Sequence, residues 1–218
     1  MATLQTYITQ VQRLLHDPNA NFWSVSELTD YVNQGRYQIA KDSKCLRQLA
    51  TGITLTAGIE IYNVDAMVNP VLNGTSFANV YDVLGISLYW GNSRYKLNYK
   101  SFTELDAWAR AWQLYQDRPV LFTRMGALNI YVAPVPDQNY VTDWDVAVGP
   151  AALVNLSDVD IIPPPFENPI AYWAAFLAKF KEQALGESKI FRDEYARQGF
   201  MAQRAFMTRV IPNPYRTA

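Results

Sequence analysis

The sequence predicts an α+β fold: N- and C-terminal helices forming a helical bundle, a central β-rich lobe of antiparallel hairpins carrying one inserted helix, and an extended C-terminal arm. Three observations predict it. Apolar residues recur at helical spacing at both ends of the chain, the period drops to two in the middle, and the proline run in DIIPPPFENP separates the middle from the closing helices. The bundle is assigned to residues 1–50 and 166–208, the lobe to 51–165 with its inserted helix at 101–117, and the arm to 209–218.

The first segment, TLQTYITQVQRLLHD, places Leu4, Tyr7, Ile8, Val11, Leu14 and Leu15 on one helical face and should end near His16, before Pro18. In the next, Ser24 and Glu27 have the spacing of a capping box, and Trp23 is positioned to pack on Leu28 as a hydrophobic staple. A second helix then shows Leu28, Tyr31, Val32, Gly35 and Ile39 on one side.

From Thr51 the alternation of GITLTAGIEIYNV predicts a hairpin around Ala57 and Gly58. A second hairpin is expected in VLGISLYWGNSRYKLNYKS around Gly91, Asn92 and Ser93, and a third in VLFTRMGALNIYVAP around Gly126. Between these two, SFTELDAWARAWQLYQD opens with a capping box from Ser101 to Glu104 and stacks Leu105, Trp108, Trp112 and Tyr115 along one stripe.

Consecutive prolines fix φ and remove backbone donors, so the run reads as a rigid extended strut that sets where the next helix starts. That helix begins at Asn168 and Pro169, an N-cap followed by proline at the first helical position. It carries Ile170, Trp173, Leu177 and Phe180 beside Ala171, Ala174, Ala175 and Ala178, and Gly186 is expected to end it. A fourth helix from about Ser188 to Thr208 brings Phe191, Tyr195, Ala202 and Phe206 into register. In RVIPNPYRTA two prolines forbid further helix while Val210, Ile211 and Tyr215 stay apolar, so this arm needs a surface to lie on.

Half of the 218 residues are hydrophobic and 18% are charged, enough apolar material for a sizeable core. A net charge of -1 argues against general affinity for nucleic acid. The charge is uneven. No Lys or Arg lies between Arg124 and Lys179, where Asp137, Asp143, Asp145, Asp158, Asp160 and Glu167 fall, whereas only arginines carry charge after Glu194. An acidic middle and a basic end suit head-to-tail contact between copies or with a partner, and equally suit a solvated face. The single Cys45 excludes an intrachain disulfide, and the opening MATLQTYITQ lacks an export signal, so a soluble product of the cytoplasm, without membrane attachment, is expected.

Nothing in the sequence calls for a catalytic residue, a cofactor or a metal. His16 is the only histidine, Cys45 reads as a small apolar residue, and neither a P-loop nor a dinucleotide fingerprint occurs. The pairs Asp143 with Asp145 and Asp158 with Asp160 have spacing open to hard-cation or paired-carboxylate chemistry, but read better as solvated acidic edges. A helix-turn-helix reading of residues 3–42 is weakened by the acids around Arg36 and Lys41.

Several segments resemble, in combination, the head-to-tail adaptor (connector) proteins of short-tailed and related tailed bacteriophages: FWSVSELTDYVNQGRYQIA, GITLTAGIEIYNV, RYKLNYKSFTELDAW, ALNIYVAPVPD and IIPPPFENPIAYWAAFLAKF. The resemblance implies a non-enzymatic virion protein of the neck, made in the host cytoplasm. It implies a homo-oligomeric ring, usually twelvefold, that docks beneath the portal protein after DNA packaging. Such a ring extends the channel for genome ejection, lets DNA pass without sequence-specific binding, and offers its far face to a downstream tail or nozzle protein. Carried onto this chain, the portal-binding arm is Arg209, Val210, Ile211, Pro212, Asn213, Pro214, Tyr215 and Arg216, and the acidic residues Asp137, Asp143 and Asp145 are expected to face the lumen. Two other readings remain: another neck or tail-tube component, and a carboxylate-dependent hydrolase that would need Asp143 or Asp145 opposite a further carboxylate.

Overall fold

The computed structural model describes residues 1–72, 77–108, 112–126 and 129–206. Among them the chain forms six α-helices and two four-stranded sheets, an α+β fold. It divides into two compact units, Met1–Ser43 with the described residues from Leu153 on, and Lys44–Ala152. Residues 44–50 therefore belong with the strands, and 153–165 with the helices.

In the helical unit, α1 (Leu4–Leu14) buries Leu4, Tyr7, Ile8 and Val11, the predicted stripe. Thr3 caps it through its hydroxyl, which accepts from the Thr6 N–H. Past its end the chain turns through His16 at φ 57, and the Asp17 carboxylate accepts the N–H groups of Asn21, Phe22 and Trp23 at 2.9, 2.9 and 3.0 Å. These three donors fix the turn and hold Asp17 below the ordinary carboxylate range, the Trp23 N–H contributing most.

In α2 (Val25–Ser43) the Ser24 hydroxyl accepts from the Glu27 N–H at 3.2 Å, but Glu27 does not complete a capping box. Its carboxylate instead takes the Tyr31 hydroxyl and the Lys181 ammonium. Gly35 is where α2 meets α5 (Asn168–Lys181): a Cβ there would stand 3.0 Å from the Ile170 carbonyl oxygen, tighter than ordinary contact, so a larger residue would have to push the two helices apart.

The proline strut is shorter than expected. Only Pro163 is plainly extended, at φ -61 and ψ 143, and Pro164–Phe166 already curl into a 3-10 turn that leads into α5. The N-cap position falls on Glu167 without a side-chain cap bond, not on Asn168, and Pro169 lies in the first turn. The face of α5 that is buried is the alanine face, Ala171, Ala174, Ala175 and Ala178, with Ile170, whereas Trp173 and Leu177 are half-buried and Phe180 is exposed. Close-packed helices select the small side chains and push large ones to the margin. Gly186 does not end α5. Gln183 at φ 63 makes the turn, and α6 (Leu185–Phe206) starts with Gly186 in its first turn and covers the bundle with Tyr195 and Ala202.

In the strand unit the order of the first sheet is β1-β8-β3-β4 and of the second β2-β7-β6-β5. The strands are β1 (Arg47–Leu55), β2 (Ile61–Asn63), β3 (Phe77–Trp90), β4 (Ser93–Lys96), β5 (Asn98–Tyr99), β6 (Leu121–Met125), β7 (Asn129–Ala133) and β8 (Tyr140–Pro150). The expected hairpin at Ala57 and Gly58 is not formed: β1 pairs with β8 and β2 with β7, in different sheets, and the Gly58 N–H donates to the Pro136 carbonyl. The hairpin at Gly91 exists between β3 and β4, ending on the pair Trp90 and Ser93, but it stops at Lys96, and β5 leaves to run parallel to β6. The third hairpin, β6 with β7, is antiparallel as expected, with Gly126 at φ 74.

Strand β8 is the centre of the first sheet, and its buried side carries Thr142, Trp144 and Val146 opposite Ile53 and Ala50 of β1 and Leu88, Ile86 and Val83 of β3. The Trp144 indole donates to the Thr142 hydroxyl, which donates to the Ile53 carbonyl at 2.7 Å, so this polar pair is satisfied inside the core. A helix absent from the sequence reading, α3 (Val64–Leu72), packs on β1 and β3 and starts where Asn63 caps the Ala66 N–H. The inserted helix is shorter than 101–117: α4 (Phe102–Trp108) and a separate 3-10 turn at Trp112–Leu114. Leu105 and Trp112 join Leu121 and Ala133 in a small core, while Tyr115 stays exposed.

Candidate functional site

Buried charge concentrates at one place in the helical unit. Asp160 accepts the Arg36 Nε–H at 3.1 Å and an Nη2–H at 2.7 Å, the Tyr7 hydroxyl at 2.8 Å and the Ile162 N–H at 3.1 Å. Its own N–H donates to the Ala2 carbonyl. Burial and the neighbouring Asp160 carboxylate both push the Tyr7 phenol far above its ordinary value, so it remains a donor. Neither reading given to these residues by the sequence holds. Asp160 is no solvated edge, and Arg36 is turned inward, away from any phosphate. Asp158 is likewise structural: its carboxylate closes the turn by accepting the N–H groups of Val154 and Asn155.

The three aspartates expected at the lumen all lie in the strand unit. Asp143 and Asp145 share one face of β8, and each meets cations or hydroxyls from neighbouring strands. Asp143, only 5% exposed, accepts the Tyr89 hydroxyl at 2.6 Å and pairs with Arg94 at 3.2 Å. Asp145 pairs with Arg47. Around them Gly85, Ser87 and Lys96 complete a shallow groove of about 440 Å³. Asp137 is apart from this pair, exposed in the loop before β8, where it accepts the Tyr140 hydroxyl at 2.7 Å. The face is therefore a lattice of cross-strand ion pairs rather than a bare acidic strip.

A further ion-pair junction ties the two sheets together, with Asp82 of β3 between Lys44 and Arg124 of β6, both at 2.6 Å. Burial works to raise the Asp82 carboxyl, and the two cations outweigh it and leave it below the ordinary range.

Among the described residues no group of three or more His, Cys, Asp or Glu is placed to hold a metal ion, and no helix is long and apolar enough to cross a membrane. His16 is exposed at the end of α1, and Cys45 is half-buried. The arm from Arg209 to Arg216 lies outside the described residues. The sequence reading missed Arg36 and Asp160 as partners because 124 positions separate them. Arg118 carries no local signal either, since its neighbours Trp90 and Tyr95 lie far from it in sequence.

The family model of the SU10 adaptor protein matches residues 2–213, nearly the whole chain. No curated protein matches it. The chain belongs to the SU10 adaptor protein family, which makes it a structural adaptor protein of a phage particle.

Proposed function

We propose that this adaptor works as a homo-oligomeric ring, twelvefold in the usual arrangement, that docks beneath the portal, extends the DNA channel and gives tail or nozzle components their attachment surface. The observation that carries the reading is the family match over almost the full length. The distribution of chemistry supports it. The charged groups described above are spent on internal ties, Arg36 with Asp160 in the helices and Arg47, Arg94, Lys44 and Arg124 with aspartates in the strands. Such ties stiffen a scaffold.

In this reading Arg209, Val210, Ile211, Pro212, Asn213, Pro214, Tyr215 and Arg216 form the arm that grips the portal, since their prolines and apolar side chains suit an extended segment laid on another protein's surface. Asp137, Asp143 and Asp145 face the lumen. With Asp143 and Asp145 matched by Arg94 and Arg47, the wall they make is close to neutral, giving a phosphate backbone little to adhere to. Removing residues 212–218 tests the docking: portal binding should be lost while the helical content of the chain is retained. Unchanged portal affinity would remove the arm from the mechanism.

A further inference from the structure

The end of the strand unit that carries the turn at Gly91 holds an arginine in an unusual setting. The Arg118 guanidinium lies 4.1 Å from the centre of the Trp90 ring and 4.9 Å from that of Tyr95, and the two rings are 6.1 Å apart. Trp90 is 50% and Tyr95 44% exposed, so the corner the two rings make is open to solvent. Among the described residues the guanidinium makes no ion pair and no hydrogen bond; only the Arg118 backbone N–H is engaged, by the Asp117 carboxylate.

The backbone beneath it is fixed. The Asp117 N–H donates to the Val135 carbonyl at 2.9 Å, the Val120 N–H to the Ala133 carbonyl at 3.0 Å, and the Val135 N–H to the Tyr115 carbonyl at 3.1 Å. A guanidinium resting against two rings that meet it from different sides, with no ion pair or hydrogen bond of its own, keeps its fork of N–H donors available, and that fork matches a carboxylate through two parallel bonds. Arg, Trp and Tyr are also the side chains that dominate binding energy at protein interfaces, and side chains already resting on one another lose less entropy on docking.

We propose that Arg118, in the corner between the Trp90 and Tyr95 rings, is a docking site for a carboxylate side chain on a partner protein, flanked by apolar residues that cover the two rings. The charge around it selects this class of partner. Asp117 and Asp137 are both exposed and both near Tyr140, at the end of β8 that pairs with Leu55. A polyphosphate chain crossing this end lays several negative charges beside these two aspartates, whereas a single carboxylate brings one charge to the one guanidinium. The site rests on its own geometry and stands or falls independently of ring formation.

The test uses the full chain, isotope-labelled, titrated with N-acetyl-Leu-Glu-Leu-amide and with the same peptide carrying Gln. The Arg118 Nε–H and Trp90 indole resonances should shift saturably with the Glu peptide and not with the Gln peptide. Arg118→Lys keeps the charge but not the fork, and should weaken binding about tenfold, the scale of one charge-assisted hydrogen bond. Trp90→Ala, which removes one half-exposed wall, should weaken it as well. Equal responses to Glu and Gln, no response to either, or full affinity in Arg118→Lys would each overturn the proposal. A thymidine oligonucleotide that moves the same resonances more strongly than the Glu peptide would overturn it in favour of base stacking.

Discussion

Arg36 of α2 and Asp160 of the segment before α5 form a two-pronged ion pair with side chains only 2% and 0% exposed. Tyr7 of α1 donates to the same carboxylate, so one buried anion joins three separate parts of the helical unit. Taking such charges out of water is costly, and the pair is tolerable because every lone pair of Asp160 that matters has a donor.

Breaking this junction from one side should be severe. Arg36→Ala strands the Asp160 carboxylate in the core and should cost about 3–5 kcal/mol in chemical denaturation, the scale for an orphaned buried charge. Tyr7→Phe removes one donor and should cost about 1–3 kcal/mol. Equal, small losses for both would mean that water reaches the site.

The contact between α2 and α5 depends on Gly35. In Gly35→Ala the new methyl meets the Ile170 carbonyl oxygen at 3.0 Å, a backbone atom that cannot swing aside. Helix propensity alone favours alanine, by roughly 1 kcal/mol. We expect the clash to win and the melting temperature to fall. A rise would show that the helices separate without penalty.

Acid should loosen specific turns. Asp17 is held below its ordinary value of 3.8 by backbone donors, first Trp23, then Phe22 and Asn21, and Asp158 is lowered from the same value by Asn155 and Val154. A carboxyl depressed in the folded state contributes stability that is present above the unfolded value and is lost as pH falls through the folded one. Melting temperature should therefore be flat near neutrality and drop below about pH 4. Asp17→Asn should lower stability at neutral pH and flatten part of that acid decline. A variant with an unchanged acid slope would assign the effect to other groups.

Trp173 tests how far the margin of the bundle contributes. It is half-buried, with its ring centre 4.8 Å from that of Tyr195 and 5.2 Å from that of Phe176. Trp173→Ala should destabilise, but by less than the roughly 3–5 kcal/mol of a fully enclosed aromatic, as measured by denaturant midpoint.

Local chemistry was the legible part of this sequence. The Ser101 to Glu104 box is present in full, with reciprocal bonds, and the turn at Gly126 closes the hairpin it announces, because both depend on residues a few positions apart. The Ala57 and Gly58 turn shows the limit. Its residues are those of a hairpin, yet the flanking strands find better partners in β8 and β7, and strand pairing at long range is not written in the turn. Helix α3 had a usable signal in Asn63 followed by Val64, Met67 and Val68 at helical spacing, set against the proline at position 70. At the candidate surfaces, the acidic stretch from Asp137 to Asp160 was visible as composition, but its neutralisation by Arg36, Arg47 and Arg94 depends on tertiary pairing. The approach of Arg118 to Trp90 and Tyr95 is of the same kind.

The central claim is assembly on a portal, and mass photometry of the purified chain, alone and mixed with the cognate portal ring, tests it most directly. The account predicts a discrete increase in portal mass corresponding to a closed ring of copies, whatever the state of the chain alone. A portal whose mass is unchanged beside free monomer would contradict it.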